Sequence, residues 1–352
     1  MEKDYPKVSI MIPTYNRAHY LVDAIDSSLA QDYPNFEVIV SDNASTDETI
    51  EVVRKYLADP RFCYYRNDKN LGSGPNSAKL LYEYAESEYG KFLPDDDYLV
   101  DKEHLKKAMN IIRKYGVKIV FSAPVSQYED EKEGRNISLE LNEVIPRKWW
   151  LDHICTTKYG ITYFPSCCSG QIFEIARAKE MGSLKGEPYG DYEYALKLIL
   201  AEEWTGYIKD PSYLERRHPG QTGRSSFQLA VEGTKIFDNV YDFGLKLDTI
   251  DKKTLDDIRL RGFKFFARAF LMPNWISENG HHPLSLIRFM KELKKFDSRL
   301  PLAVLSDANT MTQFMLYDTF LHKILRQTYR AIRSSKFLKL MRQKSLNQPK
   351  GH

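Results

Sequence analysis

Apolar residues in the first part of the chain come in short β-like runs separated by stretches with helix-like spacing. The runs Val8 to Ile12, Phe36 to Val40 and Phe62 to Tyr65 are rich in Val, Ile, Phe and Tyr and bounded by turn residues, which predicts strands. Between them Ala18 to Ala30, Asp47 to Leu57 and Ser77 to Glu88 carry the apolar spacing of amphipathic helices. Ser45-Thr46-Asp47-Glu48 reads as a helix start with acids in its first turn. A fourth run, Lys91 to Leu93, and a fifth, Lys118 to Ser122, continue the series. Strands alternating with helices predict an α/β fold, with a parallel sheet joined by right-handed crossovers.

The pattern then loosens. Residues 123–146 are polar and acidic and read as a surface loop or hairpin. Order returns over Ile161 to Phe173, and a helix opens at Gly190-Asp191-Tyr192-Glu193. Two short runs, Thr205 to Ile208 and Ser212 to Glu215, lead to Arg217-His218-Pro219-Gly220. After about residue 224 helical periodicity dominates, with breaks near Pro273, Gly280-Pro283 and Pro301. The expected domains are therefore 1–223, an α/β domain, and 224–352, a helical subdomain.

Chemistry concentrates where the strands end. Pro13-Thr14-Tyr15-Asn16-Arg17 follows the first run, Ser41-Asp42-Asn43-Ala44-Ser45-Thr46-Asp47 the second, and Asp95-Asp96-Asp97 the fourth. In an open parallel sheet these positions share the carboxyl-end edge, where ligands bind. Adjacent carboxylates repel one another and burial raises their pKa values. A divalent cation resolves that conflict, since Mg²⁺ or Mn²⁺ takes oxygen ligands and bridges carboxylates to phosphates. The competing reading is a solvated acidic turn capping the helix of residues 102–114. Asp42 can accept from a base or ribose donor, or it can simply open an Asx turn.

Three further segments add candidates. Asn67-Asp68-Lys69-Asn70-Leu71-Gly72-Ser73-Gly74 is glycine-rich before a helix and could offer backbone N–H groups to phosphate, although it lacks P-loop and dinucleotide spacing. Asp191 and Glu193 open an amphipathic helix, where the dipole favours an ionised carboxylate suited to general-base work or to plain capping. His218 lies in a Pro/Gly-rich loop and is either a ligand or a structural histidine.

Bulk properties exclude some classes. The 352 residues carry a formal net charge of +3. No apolar window is long and uncharged enough to span a bilayer, and MEKDYPK lacks a signal-peptide core. Cys63, Cys155, Cys167 and Cys168 show no zinc or CxxC spacing and read as reduced thiols of a cytoplasmic protein.

Taken together, VSIMIPTYNR (8–17), VIVSDNASTDET (38–49), RNDKNLGSGPN (66–76), KFLPDDDYL (91–99), SCCSGQIF (166–173), GDYEYALKL (190–198) and YLERRHPGQTG (213–223) resemble the family 2 glycosyltransferases. The segments follow that family's order across residues 7–223. The resemblance implies the GT-A fold, a nucleotide-sugar donor and an inverting transfer to a hydroxyl. It implies that Pro13, Tyr15 and Arg17 border the nucleotide, that Asp42 reads the base and that Asn70 supports the nucleotide-sugar. Asp97 falls on the metal position and Asp96 on its neighbour toward the ribose, with Asp95 and His218 as further metal candidates and Asp191 as catalytic base. Mn²⁺ or Mg²⁺ would be the cofactor, with UDP the commonest donor nucleotide in the family. The chain departs from the commoner pattern at Pro94, in the first acidic position, and at Gly190, which stands where a Glu is usual.

Between Thr319 and His352 there are nine Lys/Arg and no Asp or Glu, so this tail holds the whole basic excess. Residues 319–344 interleave basic and apolar residues as a helix lying on an anionic membrane surface does. Such an anchor suits a lipid-linked acceptor, beside glycan or polyol-phosphate acceptors, and would put the protein on the inner face of the cell membrane. The same apolar face could instead pack on the subdomain or form a homo-oligomer seam. A nucleic-acid partner has no other support in the chain. Two other functions stay open: a nucleotidyltransferase on a similar sheet, and a degenerate sugar-nucleotide-binding scaffold.

Overall fold

A computed structural model describes residues 5–158, 161–163, 168–182, 184, 189–218, 227–271, 285–296 and 299. No helix among the described residues is long and apolar enough to cross a membrane. The tail of residues 319–344 and its membrane, packing or oligomer readings lie outside them, as do the side chains of Cys167 and Cys168.

Twelve strands are described: β1 (Val8–Thr14), β2 (Phe36–Asp42), β3 (Phe62–Arg66), β4 (Tyr89–Phe92), β5 (Tyr98–Leu99), β6 (Ile119–Tyr128), β7 (Arg135–Asn136), β8 (Val144–Pro146), β9 (Thr156–Lys158), β10 (Ile161–Tyr163), β11 (Gln171–Glu174) and β12 (Trp204–Arg217). The helices are α1 (Ala18–Leu29), α2 (Thr49–Arg54), α3 (Ser73–Lys79), α4 (His104–Tyr115), α5 (Arg147–His153), α6 (Ile175–Glu180), α7 (Gly190–Ala201), α8 (Phe227–Gly233), α9 (Lys235–Gly244), α10 (Lys252–Phe266) and α11 (Ser285–Phe296).

The main sheet runs β3-β2-β1-β4-β11-β6-β12-β5, while β9 and β10 form a separate hairpin. Pairs β3/β2, β2/β1 and β1/β4 are parallel, so the predicted α/β rhythm holds and four strand ends lie on one edge. The rhythm does not extend through the sheet. β11 enters antiparallel between β4 and β6, directly after a 3-10 turn at Cys168–Gly170. The two runs expected at 205–208 and 212–215 are one strand, β12, whose register against β6 shifts on either side of Pro211. Proline cannot donate to a ladder, and a bulge is where a strand accommodates it. Of the loop or hairpin expected over 123–146 the hairpin is present, since β6 continues to Tyr128 and pairs antiparallel with β7, while β8 joins the sheet beside β12.

The core lies where α1 and α4 cover this sheet. Val8, Ile10, Ile12, Val38 and Val40 meet Leu21, Ile25, Leu105, Met109 and Ile112. Each such side chain contributes about 1.5–3 kcal/mol on full burial. Helix α4 stops at Gly116, in the left-handed region at φ 69° with its N–H on Ile112 O, as a C-terminal glycine does.

Two compact units divide between Phe265 and Phe266, well beyond the boundary expected at residues 223/224. The reason is side-chain packing on α5 and α7. Asn239 of α9 donates to Glu193 of α7 at 2.9 Å, and Arg261 of α10 donates to the Leu151 and Ile154 carbonyls at 2.6 Å. In the second unit Phe289 and Leu293, one turn apart on α11, are buried.

Candidate active site

The parallel register sets the first part of the site. Thr14 pairs with Asp42 and Asp42 with Arg66, so the ends of β1, β2 and β3 stand side by side. Asp42 is fully buried. Its Oδ1 accepts from the Ser45 N–H at 2.8 Å, and its Oδ2 accepts from Tyr64 at 2.7 Å and Arg66 at 2.5 Å. The Asx-type turn is therefore present, and Arg66 is added to it. Nothing in the motif near Asp42 announces Arg66; the strand register does.

Two loops are strapped together above this point. Asn16, at φ 53°, donates its N–H to Ser45 Oγ at 2.9 Å and accepts from the Thr46 N–H at 2.7 Å. Asp47 accepts from the Ala18 N–H at 2.9 Å, satisfying a donor at the start of α1, and from Thr49 Oγ1 at 2.6 Å. Burial works to raise the Asp47 carboxyl, but the Thr49 and Ala18 donors outweigh it and hold it below its ordinary value.

Next to it lies a network of asparagines of which the sequence reading singled out only Asn70. Asn43 donates to Asn70 Oδ1 at 2.8 Å, Asn67 to Asn76 Oδ1 at 2.8 Å, and Asn76 to the Ser41 carbonyl at 2.9 Å. Asn70 itself is exposed, and its Oδ1 also accepts from the Gly72 N–H. Asn43, Asn67 and Asn76 are buried. Asn67 and Asn76 bracket the glycine-rich loop in the sequence, which was the available signal.

The carboxylate triplet occupies the turn after β4 and is enclosed, with Asp95, Asp96 and Asp97 only 3–6% exposed. The reading of it as a solvated cap does not hold. Asp101 takes that place, accepting from the Glu103 N–H and from Lys107 before α4. Arg17 Nη1 donates to Asp95 Oδ1 at 3.0 Å and to Asp96 Oδ2 at 2.7 Å. His218 Nε2 lies 3.0 Å from the same Asp96 oxygen, on the far end of β12. The sequence-predicted residues Arg17, Asp95, Asp96 and His218 are thus in direct contact. Burial pushes the Asp95 carboxyl up to about 6, with Arg17 opposing and Asp96 adding to the rise. Burial also disfavours the Arg17 charge, yet Asp95 and Asp96 outweigh it and keep that value raised.

Asp97 is oriented differently. Its Oδ2 accepts from Ser169 Oγ at 2.5 Å and its Oδ1 from the Arg216 N–H at 3.1 Å. The Arg216 guanidinium lies 4.9 Å from the Tyr20 ring and 5.1 Å from the Tyr98 ring, and pairs with Asp23. The Tyr20 ring lies 5.0 Å from that of His218. Pro13 is half-buried and Tyr15 is exposed at the same edge. Asp191 stands on a separate element, half-buried in the first turn of α7. Burial and then Asp191 raise the neighbouring Tyr189 hydroxyl.

The donor set fits a hard divalent ion. Three buried carboxylates outnumber the neighbouring Arg17 and Lys91 side chains, and carboxylate with imidazole is chemistry that Mn²⁺ accepts. Among the described residues no three His, Cys, Asp or Glu side chains converge on one point. The protein supplies the Asp96–His218 pair, with Asp95 and Asp97 flanking Asp96 in the chain.

The family described as "Glycosyl transferase family 2" matches residues 9–178. Poly(ribitol-phosphate) beta-N-acetylglucosaminyltransferase TarS of Staphylococcus aureus is 34% identical over 111 residues, 31% of this chain and 19% of that protein. A GalNAc(5)-diNAcBac-PP-undecaprenol beta-1,3-glucosyltransferase of Campylobacter jejuni is 40% identical over 96 residues, 27% of this chain and 31% of that one. The match therefore spans less than a third of either relative. The crystal structure of S. aureus TarS 1–349 in complex with UDP-GlcNAc superposes with a TM-score of 0.62 at 19% identity, covering 92% of both chains. Mannosyltransferase PcManGT from Pyrobaculum calidifontis, in complex with GDP-Man and Mn²⁺, gives 0.50 at 15% identity, covering 96% of this chain and 83% of that one. Residues 9–178, which carry the strand-end clusters on one sheet edge, match the family 2 glycosyltransferases, and the chain shares the GT-A fold of the TarS structure.

Proposed function

We propose that the protein transfers a sugar from a nucleoside-diphosphate sugar, a UDP-sugar in the first instance, to an acceptor hydroxyl with inversion at the anomeric carbon. The observation that carries this reading is the contact of Arg17, Asp95, Asp96 and His218 at the edge where the parallel strands end, in a chain that matches this family. UDP is favoured because TarS has been crystallised with UDP and with UDP-GlcNAc. The acceptor class is a glycan, a polyol phosphate or a lipid-linked sugar, as the names of the bacterial relatives suggest.

The Mn²⁺ bound to the archaeal mannosyltransferase supports a divalent ion here, Mn²⁺ or Mg²⁺. Asp97 would hold it with Asp95 and His218 as further ligands, and Asp96 would face the ribose. Such an ion supplies positive charge to the leaving diphosphate. Pro13, Tyr15, Arg17 and Asn70 border the donor. Asp42 reads the base, whose N–H competes with Arg66 for Oδ2. Asp191 takes the proton from the acceptor hydroxyl while that oxygen bonds to the anomeric carbon and the bond to the diphosphate breaks.

The test is release of nucleoside diphosphate over a panel of UDP-, GDP- and dTDP-sugars with an acceptor mixture, with Mn²⁺ or chelator, in wild type and Asp97→Ala. Release from one donor, dependent on Mn²⁺ and lost in the variant, supports the reading. Release of pyrophosphate from a nucleoside triphosphate would replace it with nucleotidyl transfer.

A further inference from the structure

Lys91 is the least expected side chain in the sheet. It lies in β4, level with Ile10 of β1, and is fully buried. Removing an ammonium from water is costly unless polar partners replace the water. The Lys91 ammonium donates to the carbonyl of Ser169 and lies 5.7 Å from the Tyr213 ring. Ser169 is itself fully buried, and its hydroxyl donates to Asp97 Oδ2 at 2.5 Å. From the opposite side, Ser122 Oγ of β6 donates to the Gly170 carbonyl at 3.1 Å. The short turn leading into β11 is therefore gripped by both strands that flank β11. One oxygen of Asp97 accepts from the Arg216 N–H and the other from the Ser169 hydroxyl.

We propose that Lys91 is a positioning residue for Asp97, acting through the Ser169 turn, and that it tunes the affinity of the site for a divalent cation bound together with a nucleoside diphosphate. This rests on the reading of Asp97 as a cation ligand. The contacts make a chain across three elements, from the ammonium to the Ser169 carbonyl and from the Ser169 hydroxyl to the carboxylate. A methionine would fill nearly the same space without the cost of burying charge, so stability alone does not call for lysine here. That separates a positioning role from a packing role.

The experiment is calorimetric titration of Mn²⁺ into the full chain at saturating UDP, with thermal melting in parallel. It compares wild type, Lys91→Met, Ser169→Ala, the double variant and Asp97→Asn. Groups that orient a ligand typically change metal affinity by about 10- to 100-fold. The expected result is a loss of about tenfold in Mn²⁺ affinity in each single variant, with the melting temperature of Lys91→Met unchanged or raised. The double variant should lose no more than the worse single one, since both act on the same oxygen. Wild-type affinity in a folded Lys91→Met overturns the proposal, as does a double variant whose loss is the product of the two. If Lys91→Met does not fold, Ser169→Ala decides, and wild-type affinity there overturns the proposal as well. Wild-type Mn²⁺ binding by Asp97→Asn would instead remove the cation-ligand reading, and the role of Lys91 with it.

Discussion

Asp95→Asn should stabilise the protein near neutral pH and leave it almost unchanged in acid. Asp95 is enclosed, and burial lifts its carboxyl from an ordinary 3.8 to about 6 against the pull of Arg17. A carboxyl with a raised folded value keeps its proton in the native state after the unfolded chain has released it. Below about pH 3.8 both states are protonated and the group costs nothing. As pH rises from there to about 6 stability falls, and above 6 the full penalty remains. A difference of about two pKa units corresponds to about 3 kcal/mol, and because Asp95 and Asp96 share Arg17 the proton step belongs to the pair. Asparagine occupies the same volume without the charge. In urea unfolding with chelator present, the variant should exceed wild type by about 1–3 kcal/mol at pH 7.5 and match it near pH 4. Equal destabilisation of Asp95→Asn at both pH values would refute the reasoning, because the Arg17 contact would then outweigh the buried charge.

Other substitutions probe other parts of the molecule. Asp191→Asn should lower kcat by about 100-fold or more while UDP affinity by calorimetry stays as in wild type, as expected of a lost general base. Asn76→Ala leaves the Ser41 hydroxyl and the buried Asn67 amide short of a partner, so it should cost about 2–3 kcal/mol in urea unfolding and weaken UDP binding. Gly262→Ala would place a Cβ 2.2 Å from the Phe237 ring, forcing α10 away from α9. The expected loss is about 1–3 kcal/mol, read as a lower melting temperature with kcat retained.

The strand-end clusters were legible because a parallel strand buried on both faces writes a continuous apolar run, and whatever follows it must stand at the sheet edge. That logic found Arg17, Asp42 and the triplet before any contact was known. It could not find Arg66, whose place depends on strand register, nor Asn76, whose role needs the loop folded. Lys91 was counted into an apolar run simply because Phe92 and Leu93 follow it, and its charge was passed over. Pro211 split β12 into two runs on paper, since a bulge is invisible until the partner strand is known. The antiparallel entry of β11 was equally hidden, because local composition does not encode which strand becomes the neighbour. The boundary between compact units follows side-chain contacts rather than sequence texture. The change to helical texture after residue 224 is real, yet α9 and α10 are tied by Asn239 and Arg261 to the earlier helices.

The strap between the loops after β1 and β2 has a consequence for how this site could change over time. Asn16 gives and takes hydrogen bonds across the gap, and Asp47 serves the start of α1 from the loop before α2. Neither loop holds its shape from its own residues alone. A library varying positions 15–17 alone would mostly sample collapsed geometries, and one varying 43–47 alone would fare no better. Paired libraries, in which residue 16 changes together with 45 and 46, are where altered donor preference should be found. Among natural relatives the same pairs should be inherited together, so that this corner of the protein drifts as a unit rather than residue by residue.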